Sequence, residues 1–346
     1  MAINSTSRIY TTKGLITPKI LSDHSNDWAK IFSQEGPRDV YKIITIPPKE
    51  KLYRVSTELG NSIIVDGDQK LLMKSAKGFK AVGTSSLSVG DEIFLLLCEN
   101  PVGVSLESEK IEITNKYKNV DIFNGHFNAS IGCFLGFYFG CGRAEEDEIS
   151  FLLDKSVWGI GFIVNEFFQK EFGHRGVLKS TENPTILQYV LKSKFIVEWL
   201  KKNSLFIETK ELFPSFLYES TSEIVSAFLL GYLLATKQSL VEKIVFPTEE
   251  SAINAQLLLF NENIVNQRSG TTIAFPTVRA NDEWKQLLSK SKILTHPFPF
   301  TMTDRQMDDG FFRTKISSIL REPKQETFYL QIEGNAFSAN GFYITY

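Results

Sequence analysis

The stretch Phe134-Leu-Gly-Phe-Tyr-Phe-Gly-Cys-Gly142 has a counterpart ninety-five residues later, Leu229-Leu-Gly-Tyr-Leu-Leu-Ala-Thr-Lys237. Both are apolar runs of helical character with small residues four apart: Gly136 and Gly140 in the first, Gly231 and Ala235 in the second. Residues at i and i+4 share one helix face. A face of small residues lets two helix backbones approach closely, so the pair predicts two helices crossing in contact. Either run alone reads as ordinary packing in a helical core. Two runs with matched spacing point to an internal duplication.

Working outward, residues 1–112 read as β-rich. Tyr41–Ile46 alternates and stops at Pro47-Pro48, while Leu52–Thr57 and Ser62–Val65 flank the hairpin signal Leu59-Gly60-Asn61. Leu87–Leu96 is a turn followed by a buried strand. Residues 113–300 change character. Helices are expected over Ala129–Gly140, Val157–Phe172, Lys194–Lys202, Thr221–Ala235, Glu249–Asn261 and Asp282–Leu288. Strands are expected over Glu148–Leu153, Leu240–Pro247 and Thr271–Val278. Lys243–Thr248 and Thr272–Thr277 resemble each other and are expected to be neighbouring strands. Residues 301–313 form a polar connection. From 314 to 346 the chain returns to strands, with Asn340-Gly341 as a two-residue turn. A β-rich start and end around a helical middle predict an α+β chain, one β domain built from both ends and interrupted by an insertion.

The composition, 42% hydrophobic and 23% charged, is that of a folded protein, and 28 phenylalanines supply a sizeable core. A net charge of −2 gives no global pull toward nucleic acid or membrane. Three cysteines without CxxC spacing suggest neither a disulfide framework nor a zinc site, and a reducing intracellular compartment, cytoplasmic or nuclear, is expected. The polar start from Asn4 to Ser7 does not read as a signal peptide, and no apolar run reaches membrane-spanning length.

The paired glycine runs resemble the LAGLIDADG helices of homing endonucleases, and Phe213-Pro214 with Leu217, Ser220 and Ser222–Gly231 resembles the usual approach to the second motif helix. The resemblance covers most of 113–300. It implies a two-repeat αββαββα domain with a pseudo-twofold axis, a monomer in which each motif helix brings one carboxylate to a divalent metal. Phosphodiester hydrolysis uses such metals to activate water and stabilise the leaving oxygen. Here Cys141 and Thr236 stand at the two metal-binding aspartate positions. Magnesium prefers hard oxygen ligands, so a thiol and a neutral hydroxyl imply lost cleavage and no cofactor, with magnesium implied only if the endonuclease were active. Glu145, Glu146, Asp147 and Glu148 follow as an acidic, solvated turn.

The β-rich ends resemble the Hint fold of inteins. Arg8–Gly14 looks like the first splicing block, which sets Ala2 at the nucleophile position. Gly60–Leu72 looks like the second, with Asp66 at its Thr position and Gln69 at its His position. Leu87-Ser-Val-Gly-Asp91 looks like the common turn, and Leu330–Tyr346 looks like the last two blocks. There Asn335 takes a His position and Tyr346 the penultimate His, and the terminal Asn is absent. Splicing begins with attack by a thiol or hydroxyl, which Ala2 lacks. It needs a proton donor to the departing nitrogen, and Gln69 has no useful pKa for that role. The five replacements together imply a chain that no longer splices.

An active LAGLIDADG protein lays an antiparallel sheet into the major groove of double-stranded DNA. The resemblance implies Lys155, Lys179, Lys192, Lys194, Lys243, Arg268 and Arg279 as strand residues for DNA contact. Residues 113–300 carry 19 Lys plus Arg against 20 Asp plus Glu, so any basic face is local. Three readings stay open: an intein-derived element that neither splices nor cuts but still binds duplex DNA; a structural or protein-interaction module, within a host protein or assembly, that keeps only the fold; and an endonuclease with an atypical metal site.

Overall fold

Asn340 and Gly341 adopt φ of 51° and 84°, the two left-handed residues that a tight hairpin turn demands. They join β21 (Ala336–Ala339) to β22 (Phe342–Thr345), and this terminal hairpin is built into a sheet begun at the other end of the chain. In the computed structural model, residues 2–12, 14–24, 28–33, 36–49, 51–75, 78–96, 128–154, 165, 168–169, 175–202, 214, 217, 220–236, 238, 243–276, 278–289, 311–334 and 336–345 are described.

The opening segment supplies β1 (Ala2–Asn4), β2 (Ile9–Thr11), β3 (Gly14–Ile16), β4 (Ile31–Ser33), β5 (Gly36–Arg38), β6 (Val40–Lys49), β7 (Leu52–Thr57), β8 (Ser62–Asp66), β9 (Lys70–Ser75), β10 (Gly78–Gly83) and β11 (Glu92–Leu96), with one short helix, α1 (Pro18–Ser22). The closing segment adds β19 (Phe311–Glu322), β20 (Gln325–Ile332), β21 and β22. Every pairing among them is antiparallel, in the path β5-β4-β2-β21-β22-β9-β11-β19-β7-β8-β1-β20-β6, with β10 beside β9 and β3 beside β2. Strand β1 sits between β8 and β20, and β2 pairs with β21, so strands from both ends alternate. Strand β19 begins at Phe311, three residues before the expected boundary. It pairs with β11 up to Lys315 and with β7 from Ile316 onward, with an irregularity in the second ladder between Ile316 and Ser318. Such an irregularity bends a strand, which lets one strand serve two faces of a folded-over sheet. Ile3, Val55, Val65, Ile93, Phe328, Phe337 and Ile344 share the core beneath it.

The middle of the chain forms a second core. Its elements are α2 (Ala129–Cys141), β12 (Gly142–Ala144), β13 (Glu148–Asp154), β14 (Val177–Ser180), β15 (Ile186–Lys192), α3 (Lys194–Lys202), α4 (Ser222–Thr236), β16 (Lys243–Val245), α5 (Glu249–Asn261), β17 (Gln267–Ser269), β18 (Thr272–Ala274) and α6 (Val278–Ser289). Strands run β12-β13-β15-β14 in one sheet and β16-β18-β17 in another. The orders β13-β15-β14 and β16-β18-β17 are equivalent, and a helix lies between the first and second strand of each triplet: α5 in one, the helical residues Asn165, Phe168 and Gln169 in the other. Lys243–Thr248 and Thr272–Thr277 do contribute neighbouring strands, Ile244 opposite Ile273. The expected strand to Val278 instead stops at Ala274 and α6 starts at Val278, because Pro276 offers no N–H to a ladder. Most of the helix expected over Val157–Phe172, and the connections 113–127 and 301–310, lie outside the described residues. No helix among the described residues is long and apolar enough to cross a membrane.

Candidate functional site

Helices α2 and α4 are apolar around their whole circumference, the pattern of helices buried on all sides. Asn128 caps α2, its side chain accepting from the Ile131 N–H at 3.0 Å. The two helices cross with almost no space between their backbones. A Cβ added to Gly136 would lie 1.8 Å from the Phe228 carbonyl oxygen, and one added to Gly231 would lie 2.0 Å from that of Cys133. At Gly140 it would meet the Ala235 Cβ at 2.5 Å. The contact is reciprocal, each glycine receiving the backbone of the other helix. Phe139 faces Phe228 and Tyr232 across the seam, with ring centroids 5.9 and 5.6 Å apart.

The seam shields one reactive group. Burial raises the Cys133 thiol to about 12 from an ordinary value of 9.0. At pH 8 the thiolate is then roughly a thousandfold scarcer than in an exposed cysteine. Ellman's reagent is expected to modify the half-buried Cys133 far more slowly in the folded protein than after denaturation, so equal rates would contradict the raised pKa. Because the thiol ionises near 9 when unfolded and near 12 when folded, its contribution to stability is intact below pH 9 and is lost as pH rises toward 12.

The helix pair brings Cys141 and Thr236 toward one another at its C-terminal end, where Gly140 lies against Ala235 and the Thr236 methyl. The Thr236 hydroxyl donates to the Tyr232 carbonyl at 2.8 Å and accepts from Gln238 Nε2 at 3.0 Å. Gln238 also donates to the Val245 carbonyl at 2.7 Å, so it ties the helix end to β16. Glu145, Glu146 and Asp147 lie exposed in the turn from β12 to β13. Among the described residues no cluster of three His, Cys, Asp or Glu side chains is arranged to hold a metal. A soft thiol and an engaged neutral hydroxyl do not fit magnesium.

The register of the four-stranded sheet sorts the basic residues. Residues opposite one another, or two apart along a strand, share a face. Arg143 opposes Ser150, Ser150 opposes Val190, Val190 opposes Val177, Glu148 opposes Lys192 and Gln188 opposes Lys179. Arg143, Lys179 and Lys192 therefore project from one face, while Ile149, Phe151, Tyr189 and Leu191 line the other and are buried. Arg143 escaped the sequence reading, although its position two residues past α2 was the available signal.

The remaining expected contacts divide. Lys243 lies on the exposed face of the three-stranded sheet. Arg268 points the opposite way, sharing a face with buried Ile273. Its guanidinium donates to the Gly60 carbonyl at 2.7 Å and pairs with Glu249 at 2.8 Å, which turns it away from solvent and toward the β-rich unit. Lys194 opens α3 and faces Glu198 at 3.7 Å, so it is not a strand residue. Arg279 belongs to α6, for the reason given by Pro276. Lys155 lies outside the described residues.

Three of the expected splicing positions, Ala2, Asp66 and Gln69, lie around the turn between β8 and β9. Ile3 pairs with Val65, a register that brings Ala2 toward Asp66. The Asp66 carboxylate accepts from the Asp68 N–H at 3.0 Å, and the Gln69 N–H donates to the Asp66 carbonyl at 3.0 Å. Gln69 Nε2 donates to the Thr345 carbonyl at 2.9 Å. Both chain ends thus reach the same turn from opposite sides, Ala2 by way of β8 and Thr345 by way of β9. The Gln69 amide thus ties the turn to β22, and the Asp66 carboxylate caps the turn from within. Asn335 and Tyr346 lie outside the described residues.

No family model matches the sequence, and no curated protein does. Among solved structures, the chain is similar to an Ssp DnaB mini-intein variant, 19% identical, over 28% of this chain and 61% of that one, with a TM-score of 0.22. The gp41-1 intein is 20% identical over 28% of this chain and 67% of that one, at a TM-score of 0.21. Full-length DUF199/WhiA from Thermatoga maritima is 12% identical over 48% of this chain and 58% of that one, at a TM-score of 0.32.

Proposed function

We propose that this chain is an intein-type β scaffold carrying a LAGLIDADG-type insertion. On this reading it neither splices nor cuts, and it binds duplex DNA through the exposed face of the four-stranded sheet. The observation that carries the DNA reading is the projection of Arg143, Lys179 and Lys192 from one face, with Glu148 and Asp154 as the acidic positions of the same register. Basic side chains on a sheet face are the means by which β-sheet readers engage a groove, and phosphate neutralisation gives the binding its salt dependence. Loss of both reactions is supported by the side chains themselves. Ala2 cannot attack a carbonyl, Gln69 cannot deliver a proton, and Cys141 with Thr236 cannot replace two carboxylates around magnesium.

The test is a gel-shift titration on random duplex DNA at about 50 and about 200 mM salt, a range over which phosphate contacts lose their strength. Binding is expected to weaken steeply with salt, and the Arg143→Ala, Lys179→Ala, Lys192→Ala triple variant is expected to flatten the log–log salt slope by roughly 2 to 3. Absence of salt-sensitive binding at micromolar protein removes the proposal. Plasmid nicking with magnesium or manganese is expected to be absent, and nicking that disappears in Thr236→Ala would restore an active endonuclease.

One observation favours a protein partner instead. Leu152 and Val177 are 44% and 61% exposed and stand on the same face as the three basic residues. A mixed apolar and basic sheet face also suits protein docking. That reading expects DNA binding to be absent at both salts.

A further inference from the structure

Asn340 in the terminal hairpin turn is tied to two distant segments of the chain. Its N–H donates to the Arg8 carbonyl at 2.8 Å, and its Oδ1 accepts from the Arg8 N–H at 2.6 Å. Its Nδ2 donates to the Ser62 carbonyl at 2.8 Å, and its own carbonyl accepts from Asn61 Nδ2 at 3.3 Å. Arg8 lies between β1 and β2, and Asn61 and Ser62 stand at the start of β8. Both ends of the Asn340 side-chain amide are therefore held by backbone groups that arrive from the other end of the sequence. The next residue is the buried Gly341.

An asparagine followed by glycine is prone to a reaction of its own. Glycine has no Cβ to hinder its nitrogen, so the Gly341 nitrogen is open to attack Asn340 Cγ. Hydroxide takes the amide proton, the N–Cγ bond forms, and the Cγ–Nδ2 bond breaks with Nδ2 leaving as ammonia. Water then opens the five-membered ring at either carbonyl, which gives aspartate or isoaspartate. In the folded protein Cγ reaches the Gly341 nitrogen only by turning the amide, and turning it releases both the Arg8 N–H and the Ser62 carbonyl. Giving up two hydrogen bonds of ordinary strength slows such a step roughly tenfold to a hundredfold. The unfolded chain has no such restraint.

Neither product fits the native site. Aspartate sets an acceptor where Nδ2 donated, so two oxygens face each other at Ser62. Isoaspartate lengthens the backbone of a two-residue turn and upsets the register of Ala339 opposite Phe342. Phe342 and Ile344 are core residues of the β-rich unit, so a displaced β22 leaves that core incomplete. We propose that Asn340-Gly341 is a deamidation site that the native fold guards and unfolding opens. A chain held unfolded then loses its way back, and unfolding becomes irreversible through a covalent change.

The test ages the full chain, folded and in guanidinium chloride, at one mildly alkaline pH and temperature, and maps peptides for aspartate and isoaspartate at position 340. Conversion is expected to be at least about tenfold faster in the denatured chain. Asn124-Gly125, the other Asn-Gly pair of the sequence, is expected to convert there at a similar rate. Gly341→Ala is expected to slow the reaction at Asn340 in the denatured chain, where its effect on folding does not enter. After removal of the denaturant, the native fraction should carry intact Asn340 and the aggregated fraction should be enriched in isoaspartate there. Asn340→Gly keeps a residue pair suited to the turn and removes the reacting amide, so it should lose less refolding yield on ageing than the wild type. Should that variant fail to fold, the partition of isoaspartate between the two wild-type fractions decides alone. Equal conversion of Asn340 in the folded and denatured chain overturns the proposal, as does isoaspartate at 340 in equal proportion in native and aggregated protein.

Discussion

Replacing Gly136 or Gly231 by alanine is expected to lower stability by about 3–5 kcal/mol each, among the largest effects of any single methyl group in this protein. Two terms compete. Alanine is the better helix former by about 1 kcal/mol, which favours the variant. Against it stands a Cβ that would lie 1.8 Å from the Phe228 carbonyl at Gly136, or 2.0 Å from the Cys133 carbonyl at Gly231. Ordinary contact for such atoms begins near 3.4 Å, and both obstacles are backbone atoms of a buried helix that cannot swing aside. The helices must separate by more than an ångström, opening space along a seam that includes Phe139, Phe228 and Tyr232. The clash wins. At about 2–4 °C per kcal/mol for a unit of this size, thermal scans should show a fall on the order of 10 °C. Gly83→Ala is the control: its nearest neighbour would be the Gly67 carbonyl at 3.5 Å and its φ is not positive, so a change within about 0.5 kcal/mol is expected. The double variant should cost less than the sum, since one separation of the helices relieves both clashes. Strict additivity would mean that the two glycines do not share a seam.

The second large effect is expected at Gly60. The turn between β7 and β8 is the point where β17 meets the sheet. The Arg268 N–H and Gln256 Nε2 both donate to the Leu59 carbonyl at 2.8 Å, and Gln267 Nε2 donates to the Glu58 carbonyl at 2.8 Å. Gly60 has φ +84° and its added Cβ would lie 2.1 Å from the Arg268 carbonyl oxygen. Alanine there suffers twice, from left-handed backbone and from collision with another backbone. Gly334 separates the two causes, because it has φ +85° with nothing within 4 Å. Gly334→Ala is expected to cost the conformational part alone, about 1–2 kcal/mol. Gly60→Ala is expected to cost on the order of 3–4 kcal/mol and to push the β17 edge away from the sheet. Differential scanning calorimetry should then show the variant's unfolding spread or split relative to the wild type, since the docking that couples the two cores is weakened. Equal costs at Gly60 and Gly334 would show that the turn does not bear on β17.

These two expectations also mark what sequence can and cannot carry. The helix pair was legible because close backbone approach requires small residues at i and i+4, and that requirement is written in Gly136, Gly140, Gly231 and Ala235. The hairpins at Gly60 and at Asn340-Gly341 were legible because positive φ selects few residue types. Direction was not legible. Whether Arg268 faces solvent or the β-rich unit depends on which partner Ile273 takes, and a one-residue change of register reverses it. Lys243 and Arg268 look alike in sequence, yet they leave their sheet on opposite sides. Arg143 was overlooked because its membership of the basic face follows only from its pairing with Ser150.

The threading of both termini through one sheet sets a timetable for folding. Ala2 finds its register partner in Tyr329, and Ile9 finds one in Ala339. At about 5–20 residues per second, the ribosome takes roughly a quarter of a minute to a minute to deliver those partners. Until then the first strands have open edges and no complete core. The α2–α4 pair needs no such wait, because both helices are synthesised by Thr236 and close on each other directly. It is therefore the first part able to assemble. With α5 and β17 in place, it presents a finished surface against which the early hairpin at Gly60 can settle. On that order of assembly, the middle of the chain offers the opening strands a packed surface before the last two strands are made.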